Sequence, residues 1–365
     1  MKFLTLAKAG HFMMVRFKWL LLSFLFLTSC QKEFTTAPVA SPSIAATTSN
    51  SPGLSTNLNT GISLKRNYVS SAPLVIYEKY NLTINGDSIN GGSSTCISII
   101  NCANIHITHC KLQNSSAFGI FITNSTNVLV DSTDILNVGT GIAASGCAGG
   151  GIRVQYNQIE NMMGPFPKGS SIQFNKVGGP YNRIMYNNIQ NITGESNPED
   201  AISLYQSNGV VGDMILVLGN KIRGGGPSST GSGINLGDGG GSYECALNNT
   251  LVNTGYIGIQ ITGGTNIQAQ NNTIYSDPFP WSHLGLGYGN FSGLPSNNIT
   301  ISGNKIKWLA GKASDLVNYP GKTYIEQDES YQAGATQPTG WSTNVVNASI
   351  NSTILPTTLV NFNLY

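Results

Sequence analysis

Charged side chains make up only 10% of this 365-residue chain, so the few that are present mark where chemistry could take place. Glu199 and Asp200 stand side by side at the end of GESNPED (194–200), and Asp238 follows GINLG (233–237). Lys168 and Lys176 come before them, and Arg223 closes GNKIR (219–223). Neighbouring carboxylates are the hard oxygen donors that calcium takes, which makes Glu199 and Asp200 candidate calcium ligands. A lysine with a lowered pKa can remove the proton beside a carboxylate that a cation or metal has neutralised. Lys168, Lys176, Asp200 and Asp238 are therefore candidate catalytic groups for a lyase reaction on a uronic acid polymer. Hydrolysis would instead need two carboxyl groups about 5 to 9.5 Å apart. Asp200 lies two residues before Ile202 and Asp238 four after Ile234, which on an extended strand puts them on the order of 20 Å apart. Gln173, Ser203, Asn235 and Gln260 offer neutral hydrogen-bonding groups, Tyr205 and Trp281 offer stacking faces, His283 with Tyr205 offers an acid–base pair, and Arg223 offers an anion contact. Each has a plainer reading: Glu199 and Asp200 as turn caps, the lysines as solvated surface, Arg223 as a partner for an acid across coils.

Something regular must place these groups, because they are scattered over more than a hundred residues. The regularity is a repeat. YNQI (156–159), YNNI (186–189), GNKI (219–222), NNTL (248–251), NNTI (271–274) and GNKI (303–306) each put Asn two residues before an aliphatic residue. Asp87, Cys110 and Thr133 hold the equivalent earlier positions. A second apolar strand recurs in each interval, as in GIFI (119–122), AISL (201–204), GINL (233–236) and GIQI (258–261), with Ile inward and the intervening residue outward. Stacked at roughly 4.8 Å per rung, Asn157, Asn187, Asn220, Asn249, Asn272 and Asn304 form an asparagine ladder that satisfies turn backbone groups. The expected fold is all-β: a right-handed parallel β-helix of about nine to ten coils over residues 66–310. Residues 311–365 are expected to cap its end. With 43 Gly and 40 Asn, the composition suits tight turns with left-handed backbone.

Coil length predicts where a site would lie. From the ladder aliphatic residue to the next inward strand residue the count is 8, 8 and 7 in the early coils, then 13, 13 and 12 for Ile159 to Ile172, Ile189 to Ile202 and Ile222 to Ile234. Three stacked insertions at one corner, GPFPKGS (164–170), GESNPED (194–200) and GGGPSSTGS (224–232), must make a raised wall, with DPFPWSH (277–283) two coils on. Beside it the outward row Gln173, Ser203, Asn235 and Gln260 makes a polar, uncharged lane suited to sugar hydroxyls.

At the start of the chain Arg16 and Lys18 precede an apolar run, Trp19 to Leu27, too short to span a bilayer and ordered like a secretory signal. Residues 31–65, rich in Ser, Thr and Pro, read as a flexible tether. Without residues 1–30 the balance is 15 basic to 17 acidic residues, so no basic patch argues for nucleic acid. Cys96, Cys102, Cys110, Cys147 and Cys245 lack any CxxC and read as small apolar residues in stacked turns. His106 and His109, in an early coil without a wall, read as structural.

Two resemblances follow from these residues. LTSC (27–30) resembles the lipobox of bacterial lipoproteins, which implies cleavage before Cys30, lipidation of its thiol and, with Gln31, an outer-membrane anchor in the bacterial envelope, periplasmic or surface-exposed. The coil pattern resembles the pectin-lyase-like superfamily of right-handed β-helices, which includes polysaccharide lyases, glycosidases, epimerases and non-enzymatic surface proteins. PEDAISLYQSNG (198–209), GNKIRGGGPSSTGSGINLGDGGGSY (219–243) and GYIGIQITGGTNI (255–267) are similar to uncharacterised secreted bacterial β-helix repeat proteins. The resemblance implies the fold, a polysaccharide ligand or substrate and a monomer. It leaves three functions open: a lyase-like uronan-modifying enzyme with calcium, a non-catalytic carbohydrate-binding β-helix, and a glycoside hydrolase.

Overall fold

The computed structural model describes residues 68–164, 169–289, 296–311, 338–362 and the backbone of 325–327. The leader (1–30) with Cys30, the tether (31–65) and Lys168 lie outside the described residues. The described chain is all β with no α-helix, and its strands form two all-parallel sheets of 19 and 10 strands. This is a parallel β-helix.

Each coil contributes three strands. A ladder strand follows the asparagine turn, a wall strand follows the next corner, and a back strand in the ten-stranded sheet returns the chain to the next asparagine turn. In the early coils the first two are continuous, as in Lys111–Thr123 and Asp134–Ser145, which is why they count as one sheet. Later coils split them with the wall insertions: Gln158–Met162 and Ile172–Asn175, then Asn188–Gln190 and Ile202–Tyr205, then Lys221–Arg223 and Ser232–Asp238. The expected registers hold, with Ile159 opposite Ile189 and Ile189 opposite Ile222, and Ile172 opposite Ile202 and Ile202 opposite Ile234. These aliphatic columns fill one continuous core along the axis. Cys96, Cys102, Cys110, Cys147 and Cys245 are free and buried, the first four within this core.

The asparagine ladder is continuous. Asn187 Nδ2 donates to Asn220 Oδ1 at 2.9 Å, Asn220 to Asn249 at 3.0 Å, Asn249 to Asn272 at 2.9 Å and Asn272 to Asn304 at 2.9 Å. Each amide also donates to a backbone carbonyl of the preceding coil, as Asn220 does to Ile184 O at 2.9 Å, and each Oδ1 takes a turn N–H. Buried amides are thus fully paired, which is what makes their burial tolerable. At the early end Thr133 and Cys110 continue the column, with Thr133 N–H donating to Asn157 Oδ1 at 3.1 Å.

The C-terminal end differs from the expected cap. The ladder gains a further rung at Asn344, whose Oδ1 accepts from Asn304 Nδ2 at 2.8 Å, and Val345–Val346 add a ladder strand beside Lys305 and Ile306. The chain then runs back along the outside of the ladder strands as a strap. Leu355 and Leu359 pack with Val252 and Tyr275, and Leu359 N–H donates to Gln190 Oε1 at 2.6 Å. An apolar outer face on this sheet had to be covered, and the strap covers it from the side.

Candidate functional site

The polar lane exists in register: Gln173 lies opposite Ser203, Ser203 opposite Asn235, and Asn235 opposite Gln260. It is deeper than a solvated sheet row would be, since Ser203, Asn235 and Gln260 are all buried while Gln173 is half-buried. Asn235 Oδ1 takes a bond from Thr262 Oγ1 at 3.4 Å. Among the described residues no hydrogen bond engages the side chains of Gln173, Ser203 or Gln260. Tyr205 follows on the same outward side, opposite Asn175 and Asp238, its hydroxyl accepting from Gln206 Nε2 at 3.2 Å. The register shifts there, an extra residue between Asn235 and Asp238 bulging the neighbouring strand.

The wall is a stack of the insertions, tied by its own backbone ladder. Glu199 N–H donates to Gly169 O at 3.3 Å, Ala201 N–H to Ser232 O at 2.9 Å, Tyr256 N–H to Gly231 O at 3.0 Å and His283 N–H to Tyr256 O at 2.8 Å. Gly231 is required here, because any side chain would run into the Glu199 carbonyl. Trp281 stacks on Phe279 at 5.2 Å and leans over Gly226, and His283 stacks on Tyr256 at 4.7 Å. Both rings therefore have a face inside the wall.

The acids separate into different roles. Asp200 Oδ1 accepts from both the N–H and the Oγ of Ser232, at 2.8 and 2.7 Å, and the residue is buried. Burial pushes its carboxyl up to about 7, with the Ser232 bonds opposing and Glu199 and Asp238 adding to the rise. These contacts are the turn-capping reading rather than an open catalytic group. Glu199 is half-buried; one oxygen accepts from Thr230 Oγ1 at 2.7 Å and the other is buried without a partner. Asp238 is raised by burial, opposed by the Gly239 N–H and reinforced by Glu199. Since Asp238 acts electrostatically on Asp200 and on Glu244 as well, the strand-length separation expected from sequence does not insulate these groups from one another.

One cation falls away from the lane, and another stands exposed at its end. Arg223 sits on a ladder strand, where its guanidinium donates to Ser352 O at 2.6 Å and Leu355 O at 2.8 Å, so its expected role at a substrate is replaced by holding the strap. Lys176 occupies a left-handed turn position, φ 55°, with its side chain exposed. Among the described residues no three His, Cys, Asp or Glu side chains gather as a metal centre would require. Glu199 and Asp200, with Asp200 Oδ1 already taken twice, offer by themselves fewer than the six to eight oxygens calcium takes.

Three acids were not singled out from the sequence. Glu244 is fully buried at a core position of the back sheet, opposite Ile215 and Ile267. One of its oxygens accepts from Gly237 N–H at 2.7 Å, beneath the strand carrying Asn235, and the other has no partner. The repeat contained this signal: the core residue five before each ladder asparagine is Ile215, Glu244 and Ile267 in successive coils. Glu160 and Glu195 line a hollow of about 700 Å³ on the other side of the wall from the lane, with Asn114, Asn137 and Asn161. Burial raises the Glu160 carboxyl and Glu195 adds to the rise.

No protein-family model matches the chain, and neither does any curated protein.

Proposed function

We propose that the lane binds a polysaccharide laid along the helix axis, its hydroxyls taken by Gln173, Ser203 and Gln260 and one sugar face resting on Tyr205. One observation carries the reading: in-register polar residues form a recessed row beside the wall, and the side chains of Gln173, Ser203 and Gln260 have no protein partner while their polar atoms still reach solvent. Buried polar groups are ordinarily paired, and a ligand rich in hydroxyls is a partner of matching chemistry. Glu199 and Asp238 flank the lane and Arg223 does not, which favours a neutral or sparsely charged glycan over a uronan. The coil pattern also supports placing the chain among pectin-lyase-like β-helices, and the leader supports a lipid anchor at Cys30 in a bacterial envelope.

A cleaving function is the second reading, supported by Asp238. Its carboxyl is held above the ordinary range beside the partly unpaired Glu199, an arrangement suited to an acid and a base working as a pair. The lyase alternative would rest on Lys176 or Lys168 as base.

The test is a panel of neutral and uronic polysaccharides offered to the whole chain, with and without chelator. Binding, new reducing ends and unsaturated-product absorbance are followed together. Retention of a neutral polymer, weakened about tenfold or more by Ser203→Ala with Gln260→Ala, is the expected result. New reducing ends lost in Asp238→Asn would add hydrolysis, and chelator-sensitive absorbance would restore the calcium-dependent lyase. If no polymer is retained or cleaved, the reading fails.

A further inference from the structure

We infer that the outside of the back sheet carries a second saccharide site, for acidic sugars, built from the stacked rings of Tyr156 and Tyr186 and the guanidinium of Arg153. The site shares no residue with the lane, and the inference does not depend on the lane reading.

The first observation is where the tyrosines stand. Before eight successive ladder positions the backbone is left-handed: His109, Ser132, Tyr156, Tyr186, Gly219, Asn248, Asn271 and Gly303 all have φ between 48° and 66°. Asn and Gly suit that conformation, and a bulky aromatic residue does not. Two successive coils nevertheless place Tyr there, which the needs of the turn do not explain; residues held against local preference concentrate where a function over-determines them.

The second is what the rings do. Their centroids are 5.4 Å apart and their planes 14° apart, yet Tyr156 is 54% and Tyr186 44% exposed. A Cβ at Gly219 would lie 2.5 Å from the Tyr186 ring, so that glycine makes the seat on which the stack rests. Tyr186 is backed by Gly219 and Tyr156 by Tyr186, which leaves an open aromatic face. A pyranose ring presents an apolar C–H face of matching size, and Tyr supplies area with a polar edge for the hydroxyls.

The third is the charge beside it. A hollow of about 480 Å³ adjoins the platform, lined by Asn127, Arg153, Gln155, Tyr181, Arg183 and Met185. Arg153 and Arg183 lie opposite each other on adjacent back strands. Arg183 is engaged by Asp213 and by the carbonyls of Asn182 and Met214. Arg153 makes a single bond, to Asn127 Oδ1 at 3.1 Å, and has no carboxylate partner among the described residues. Its remaining donors form a fork that fits a carboxylate in a bidentate way. Tyr156 stands three positions after Arg153, roughly 10 Å along an extended chain, so a ligand that touches both is an oligosaccharide.

The test is calorimetric titration of the full chain with oligogalacturonate and with its carboxyl-reduced, neutral counterpart. Wild type should bind the acidic probe several-fold more tightly than the neutral one. Tyr156→Asn with Tyr186→Asn should weaken the acidic probe about tenfold or more with Tm unchanged or raised, because Asn is at ease at positive φ. Arg153→Gln should abolish the preference for the acidic probe, and Ser203→Ala with Gln260→Ala should leave its binding unchanged. The proposal is overturned if wild type does not bind oligogalacturonate or shows no preference for it, or if the asparagine variant binds it as wild type does. It is equally overturned if that variant's Tm falls, which would make the stack a structural brace, or if only the lane variant loses binding.

Discussion

A carboxyl group sealed in a solenoid core is a cost that the protein carries through protonation. Burial raises the Glu244 carboxyl well above the ordinary carboxylate range, with the Gly237 N–H opposing and Asp238 reinforcing. Unfolded Glu ionises near about 4.3, so the folded state binds the extra proton above that pH. Stability from this group is complete below the unfolded pKa and is lost as pH rises towards the folded one. Asp200, pushed up to about 7, behaves alike between its unfolded value near about 3.9 and that point. Thermal melts from mildly acidic to mildly basic pH should show Tm falling with pH, and Glu244→Gln should flatten the fall. A steeper fall in the variant would mean that Glu244 is ionised in the folded protein. Asp200→Asn, which keeps an acceptor for Ser232 and cannot ionise, should melt at or above the wild-type temperature at neutral pH, whereas Asp200→Ala should lie about 1–3 kcal/mol below Asp200→Asn in stability; equal melts for the two would remove the capping role. The sequence displayed Glu199, Asp200 and Asp238 because they interrupt an uncharged chain. Glu244 was legible only through the repeat, at the inward position five residues before a ladder asparagine, and Arg223 was not legible, because its partners lie about 130 residues further on.

The strand elements were legible because a solenoid repeats its instructions. The words ending in N-x-Ile or N-x-Leu set the ladder, alternation set which residues face inward, and the longer gaps before Ile172, Ile202 and Ile234 announced the wall. Two elements were not legible. Asn344 stands forty residues after Asn304, beyond the interval that marks the other coils, and the strap follows no repeat at all. Ladder positions should be among the most sensitive in the protein. Asn220→Ala would strand the donors and acceptors that now meet Ile184, Asn187 and Asn249, and a loss of at least about 3 kcal/mol is expected in urea denaturation. A loss under about 1 kcal/mol would show that water replaces the amide. For the strap, Leu355→Ala should cost about 2–3 kcal/mol and increase binding of a hydrophobic dye, since Val252 and Tyr275 lose their cover. An unchanged dye signal would show that they are covered without it.

Across the whole molecule, two sheets of one stack present different chemistry to their surroundings. The lane side carries Glu199 and Asp238 and the back carries Arg153, so the neutral sugars proposed for the first and the acidic sugars proposed for the second would be held on separate faces of a single rod. Binding at the back should weaken as ionic strength rises while binding at the lane should not, because only the former rests on an ion pair; titrations at low and high salt would separate them, and equal salt dependence would collapse the distinction. A stack of coils is ordinarily a chain of nearest neighbours that frays from its ends. The strap changes that. By touching Gln190, Arg223, Val252 and Tyr275 it clasps four successive ladder strands at once. Tension applied at the C-terminus would then have to open the clasp before any of those coils could peel away. The coils beneath it would yield together rather than one after another, which makes this half of the rod a single mechanical unit.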